Sequence, residues 1–99
     1  MSKLGDVVLK LRSKNAGPFW LTIDIFCGSP EVFHRVSRGV ATETVADRFG
    51  IETARLRRFE LPDLHVVKFS LPRPAVQGTV PDRDMHGASF AAIISELEI

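Results

Sequence analysis

Apolar and polar positions alternate most clearly between Phe19 and Cys27. In "FWLTIDIFC", Phe19, Leu21, Ile23 and Ile25 fall on one side of an extended chain, and Trp20, Thr22, Asp24 and Phe26 fall on the other. Most of these residues are β-branched or aromatic, so the stretch predicts a central strand. "GSPEVFHRVSRG" follows with Ser29 as a cap, Pro30 at the first helical position, Glu31 against the helix dipole and Gly39 as a left-handed stop, which predicts a helix over 30–38. Thr42 repeats the start signal and Gly50 the stop, with Val45, Ala46 and Phe49 along one face of a second short helix.

The runs at 56–61 ("LRRFEL") and 64–71 ("LHVVKFSL") flank "LPDL" and predict two antiparallel strands joined by a tight Pro-Asp turn. Phe59 and Leu61 share a face, as do Val67, Phe69 and Leu71. Near the C-terminus, Phe90, Ile93, Ile94 and Leu97 stand at i, i+3, i+4 and i+7, a helical stripe with Asp84 or Ser89 as its cap. At the N-terminus, Leu4, Val7, Val8 and Leu11 give helical spacing over 4–11, although "VVLKL" tolerates a strand as well.

Helix, strand, two short helices, two strands, an irregular stretch and a last helix make one α+β domain over residues 1–99. The expected architecture is a ferredoxin-like sandwich, an antiparallel sheet with helices on one face. Such a sandwich leaves the other sheet face uncovered. Trp20, Thr22, Asp24, Phe26, Leu64, Val66 and Lys68 are expected there, too apolar for a plain solvent face and too polar for a core, a mixture typical of a protein interface.

Composition narrows the partners. The chain has 99 residues, 44% of them hydrophobic, and a formal net charge of +1 with acids and bases mixed along its length. That balance argues against nucleic acid or an anionic membrane as partner, and no apolar run is long enough for a signal peptide or a span, so cytoplasmic residence is expected. Cys27 is the only cysteine and reads as a small buried hydrophobe rather than a reactive thiol.

Two strings resemble known families. "LRSKNAGPFWLTIDI" resembles the opening of small, uncharacterised bacterial proteins encoded beside AtuA-like acyclic terpene utilisation proteins. "RRFELPDLHVVKFSLPR" and "DMHGASFAAIISELEI" are similar to the ferredoxin-fold domain that closes the larger AtuA-like proteins. The resemblance implies a stand-alone version of that domain. It would act as an accessory subunit, binding itself or an AtuA-like protein, in catabolism of terpenoid or related acyl-CoA or carboxylate compounds. Where those relatives carry Tyr and then a Gln-Gln-His run, this chain has His86 and then Ser89-Phe90-Ala91.

Two clusters offer chemistry. Arg12, Ser13, Lys14 and Asn15 combine a planar fork, a point charge and an amide beside a Gly-Pro corner. They suit a loop that holds a carboxylate or the phosphates of a CoA ester, or they form only a solvated turn. Arg73, Asp82, Asp84 and His86 form the second. In an extended chain Asp82, Asp84 and His86 project to one side, which suits a divalent metal or proton transfer by Asp84 and His86. Capping by Asp84 and an ion pair between Asp82 and Arg73 or Arg83 are the plainer alternatives. His34, His65 and the basic run Arg55, Arg57 and Arg58 read as structural or solvated. No phosphate loop, nucleophile elbow, zinc-ligand pattern or dinucleotide fingerprint occurs, so neither cofactor nor resident metal is expected. The rival to the accessory subunit is a hydratase, lyase or isomerase of acidic or CoA-linked substrates.

Overall fold

The computed structural model describes residues 2–73 and 90–99. A single helical turn, α1 (Leu4–Val7), leads into strands β1 (Lys10–Asn15) and β2 (Trp20–Phe26), then helices α2 (Pro30–Gly39) and α3 (Thr42–Arg48). Strands β3 (Arg57–Leu61) and β4 (Val66–Pro72) follow, and α4 (Phe90–Ser95) comes last among the described elements. The four strands form one antiparallel sheet in the order β1-β2-β4-β3.

The α+β class and the ferredoxin-like sandwich hold, with a difference of connection. From β2 onward the chain runs β-α-β-β-α, the order of a ferredoxin-like unit lacking its last strand. The place of that strand, beside β2, is taken by β1 from the front of the chain. Accordingly the region after α4 lies against the start of the chain. Ile99 N–H donates to Ser2 C=O at 2.9 Å, Leu4 N–H to Leu97 C=O at 2.7 Å, and Lys3 bridges to Glu98.

The covered face of the sheet is built from Leu21, Ile23, Ile25, Val67, Phe69 and Leu71, all fully buried and directly opposed in register, Ile23 against Phe69 and Ile25 against Val67. Phe33 and Val36 from α2, Val45 and Ala46 from α3, Ile94 from α4 and Leu4 from α1 complete the same cluster. Each of the larger side chains stabilises the fold by about 1.5–3 kcal/mol through burial. The helices therefore lie on one face.

Several local expectations change. The N-terminal segment is helical for one turn only and then becomes β1, because Leu11, Ser13 and Asn15 pair beside Ile25, Ile23 and Leu21. Arg12–Asn15 is thus strand, not loop. Helix α2 is capped by Ser29 Oγ, which accepts from Val32 N–H at 3.2 Å, but Gly39 is its last helical residue rather than a left-handed stop. Gly39 is small for another reason: a Cβ there would stand 3.0 Å from the Cβ of Ile99. Helix α3 begins at Thr42 with Ala41 in the cap position, and Gly50, at φ +67°, lies in the tight turn that follows it. Leu64 closes the 3-10 turn Pro62–Leu64 instead of starting a strand, and His65 takes a left-handed conformation at φ 53°, so β4 begins at Val66.

Candidate functional site

The face opposite the helices gathers side chains from all four strands. Reading across it from β3 to β1, the register gives successive rows: Leu61, Val66, Phe26 and Lys10; then Phe59, Lys68, Asp24 and Arg12; then Arg57, Ser70, Thr22 and Lys14; with Pro72 and Trp20 beyond. None of these residues belongs to the core cluster. One end is apolar, with Phe59 45% and Leu61 38% exposed, and Trp20 is 39% exposed at the other.

Charge is segregated on this face. Among the described residues it carries five cations, Lys10, Arg12, Lys14, Arg57 and Lys68, against the single carboxylate of Asp24. The whole chain has a formal net charge of only +1, so the rest of the molecule is net acidic. Four separate strands had to be brought into register before this became visible. A net charge near zero is compatible with such a local field, because it sums over both sides of the molecule.

The centre of the face holds two polar groups in unusual settings. Thr22 is 7% exposed and its hydroxyl is sealed from solvent without a hydrogen-bond partner. Asp24 is 9% exposed and makes no hydrogen bond or ion pair, although its neighbours on the flanking strands are Arg12 and Lys68. A hydroxyl stripped of water and left unpaired costs about 1–3 kcal/mol.

The alternation of β1 divides the Arg12–Asn15 cluster. Arg12 and Lys14 are exposed on the open face, whereas Ser13 and Asn15 turn to the helix side. There, Ser13 Oγ accepts from Ala91 N–H at 2.9 Å and so caps the start of α4. Asn15 Oδ1 accepts from the guanidinium of Arg73, which also lies 5.8 Å above the ring centroid of Phe90. Arg73 N–H donates to Phe19 C=O at 2.9 Å. The residues that bracket 74–89 therefore meet beside Asn15. Asp82, Asp84, His86 and the candidate cap Ser89 lie outside the described residues.

Of the expected interface residues, Trp20, Thr22, Asp24, Phe26 and Val66 share the open face, while Leu64 projects from the turn at 69% exposure. Lys10, Arg57, Phe59, Leu61 and Ser70 join them. The period-two pattern of "RRFEL" pointed to Phe59 and Leu61, but only the register reveals which face they share. Arg58 behaves differently from its basic neighbours. Its guanidinium donates to Ser37 C=O at 2.8 Å and to Val40 C=O, pairs with Glu60 at 2.9 Å and lies 5.5 Å above the ring centroid of Phe69. That makes it a clamp between β3 and the end of α2. Burial pushes the Cys27 thiol up to about 11, so it stays protonated and unreactive at neutral pH.

A protein family described as a domain of unknown function, DUF4387, matches residues 4–98. The chain belongs to that family. The DUF4387 match runs from α1 to the residue that bridges back to Lys3, so it takes in both faces of the sheet and the whole permuted arrangement. Comparison with curated proteins and with solved structures gives no match. No helix among the described residues is long and apolar enough to cross a membrane.

Proposed function

We propose that this chain is a small cytoplasmic accessory subunit that associates through its open sheet face, with itself or with an AtuA-like protein. Its pathway would be catabolism of terpenoid or related acyl-CoA or carboxylate compounds. The observation that carries the reading is the open face itself: an apolar row of Leu61, Val66 and Phe26 beside a cationic field, with the Thr22 hydroxyl sealed and unpartnered in the middle and Asp24 beside it without an ion pair. Monomeric proteins seldom leave such a surface bare, and a desolvated hydroxyl without a partner is a cost that a docked surface can relieve. The resemblance of "LRSKNAGPFWLTIDI" and "DMHGASFAAIISELEI" to AtuA-associated sequences supplies the partner class. Arg12 and Lys14 would then contribute cations to an anionic-ligand site completed by the partner.

The test is co-expression with an AtuA-like protein of the same genome, followed by size exclusion with light scattering. Co-elution at a fixed ratio, or a defined homo-oligomer of this chain, is the expected result. A monomer that elutes apart from that protein at micromolar concentration would refute the proposal. A second reading, an enzyme using Asp84 and His86, is favoured by one observation: Arg73 and Phe90, which bracket the segment holding them, meet beside Asn15. It predicts proton exchange or hydration of a CoA-linked substrate by the isolated chain, lost in Asp84→Asn.

A further inference from the structure

We infer that the open sheet face is the docking surface for an acidic partner protein, and not for a second copy of this chain. The assignment rests on the accessory-subunit reading and decides between its two partners.

The charge pattern excludes self-docking on this face. Two copies placed face to face would set Lys10, Arg12, Lys14, Arg57 and Lys68 of one against the same five of the other, with only Asp24 on each side to answer them. Like charges brought together across a drying interface repel, and the repulsion grows as water leaves. Pairing through the exposed edge of β1 would bring together two strands carrying Lys10, Arg12 and Lys14, all on one face. A partner bearing carboxylates around an apolar ridge meets every part of the surface. The ridge covers Phe59, Leu61 and Phe26 around the buried Val66, the carboxylates meet the cations, and a single donor is required near Asp24.

A single-stranded nucleic acid is the other anionic occupant to consider. Base-stacking sheets need aromatic faces on neighbouring positions of the central strands. Here β4 offers Val66, Lys68, Ser70 and Pro72, with no aromatic among them. On β2, Trp20 and Phe26 are six residues apart, about 20 Å at strand spacing. Asp24 also stands in the central row, where it would repel phosphates. The surface fits a protein better.

The chain carries its own footprinting set. Its four lysines are Lys3, Lys10, Lys14 and Lys68. Three lie on the open face, while Lys3 sits at the terminal bridge, paired with Glu96 at 2.8 Å. The experiment is acetylation of the full chain, read by mass spectrometry, alone and with the AtuA-like protein. Loss of modification at Lys10, Lys14 and Lys68, with Lys3 unchanged, is expected. Arg12→Glu combined with Lys14→Glu should weaken the complex about tenfold or more, whereas Arg38→Glu, at an exposed position of helix α2, should not, circular dichroism confirming the fold of each.

A complex that leaves the three lysines reactive, or that ignores the Arg12 and Lys14 reversals, overturns the surface assignment while the accessory reading stands. Protection that rises with the concentration of this chain alone overturns it in favour of a second copy. Equal protection by oligouridylate at physiological salt overturns it in favour of nucleic acid. No complex of any kind retires the accessory reading, and the assignment with it.

Discussion

Thr22 carries a hydroxyl where the free chain can use only its shape. Threonine and valine differ there by one polar atom, and that atom is sealed and unpaired. Thr22→Val is therefore expected to stabilise the isolated chain by about 1 kcal/mol, read as a higher urea midpoint at unchanged slope. A lower midpoint would mean that the hydroxyl finds a partner in the free protein. Ser13 shows the opposite situation. A sequence reading places it in an anion-binding group with Arg12, yet its oxygen satisfies a helix N–H from 78 residues away. Nothing local announces such a job, because both partners exist only after the sheet and α4 have met.

At the level of elements, the segments that announced themselves were those whose own periodicity agrees with their burial. Leu21, Ile23 and Ile25 alternate and are buried together, and Ser29-Pro30 opens α2 as its chemistry dictates. β1 was obscure because its covered positions are Leu11, Ser13 and Asn15, two of them polar, so the alternation is masked and the helical spacing of Leu4, Val7 and Val8 competes. β3 hides in the same way: its helix-side positions are Arg58 and Glu60, both polar, which satisfy each other and the end of α2. Arg58→Ala should cost about 2–3 kcal/mol in thermal or chemical unfolding, since it removes charge-assisted bonds to the carbonyls of Ser37 and Val40 at the end of α2. Arg58→Lys should recover only part of this, because an ammonium cannot reproduce the fork. Full recovery with lysine would reduce the clamp to simple charge.

For the whole molecule, the arrangement of strands makes two statements. The first concerns charge. A nearly neutral chain becomes a two-sided object when cations from three of the four strands line up on one face, and only the register discloses it. The second concerns connection. Ser2 and Ile99 exchange backbone hydrogen bonds, and β1 occupies the slot of a closing strand. A permuted chain in which a short linker joins Ile99 to Ser2, with new ends in the turn between Asn15 and Trp20, should fold to the same sheet with β1 now last. Far-ultraviolet circular dichroism and a cooperative melt would check it, and a molten or aggregated product would show that the β1–β2 hairpin must form first.

β1 also determines which kinds of genetic change the molecule can absorb. Its odd and even residues serve two different masters, cations outward and Ser13 with Asn15 inward. Point substitutions at Arg12 or Lys14 leave the inward contacts standing, and substitutions at Ser13 leave the outward charges in place. A one-residue insertion or deletion spares neither, because it turns the strand over and forfeits the helix cap and the cationic row in one step. In a mutational scan this short strand should stand out less by its intolerance of new side chains than by its intolerance of any change in length.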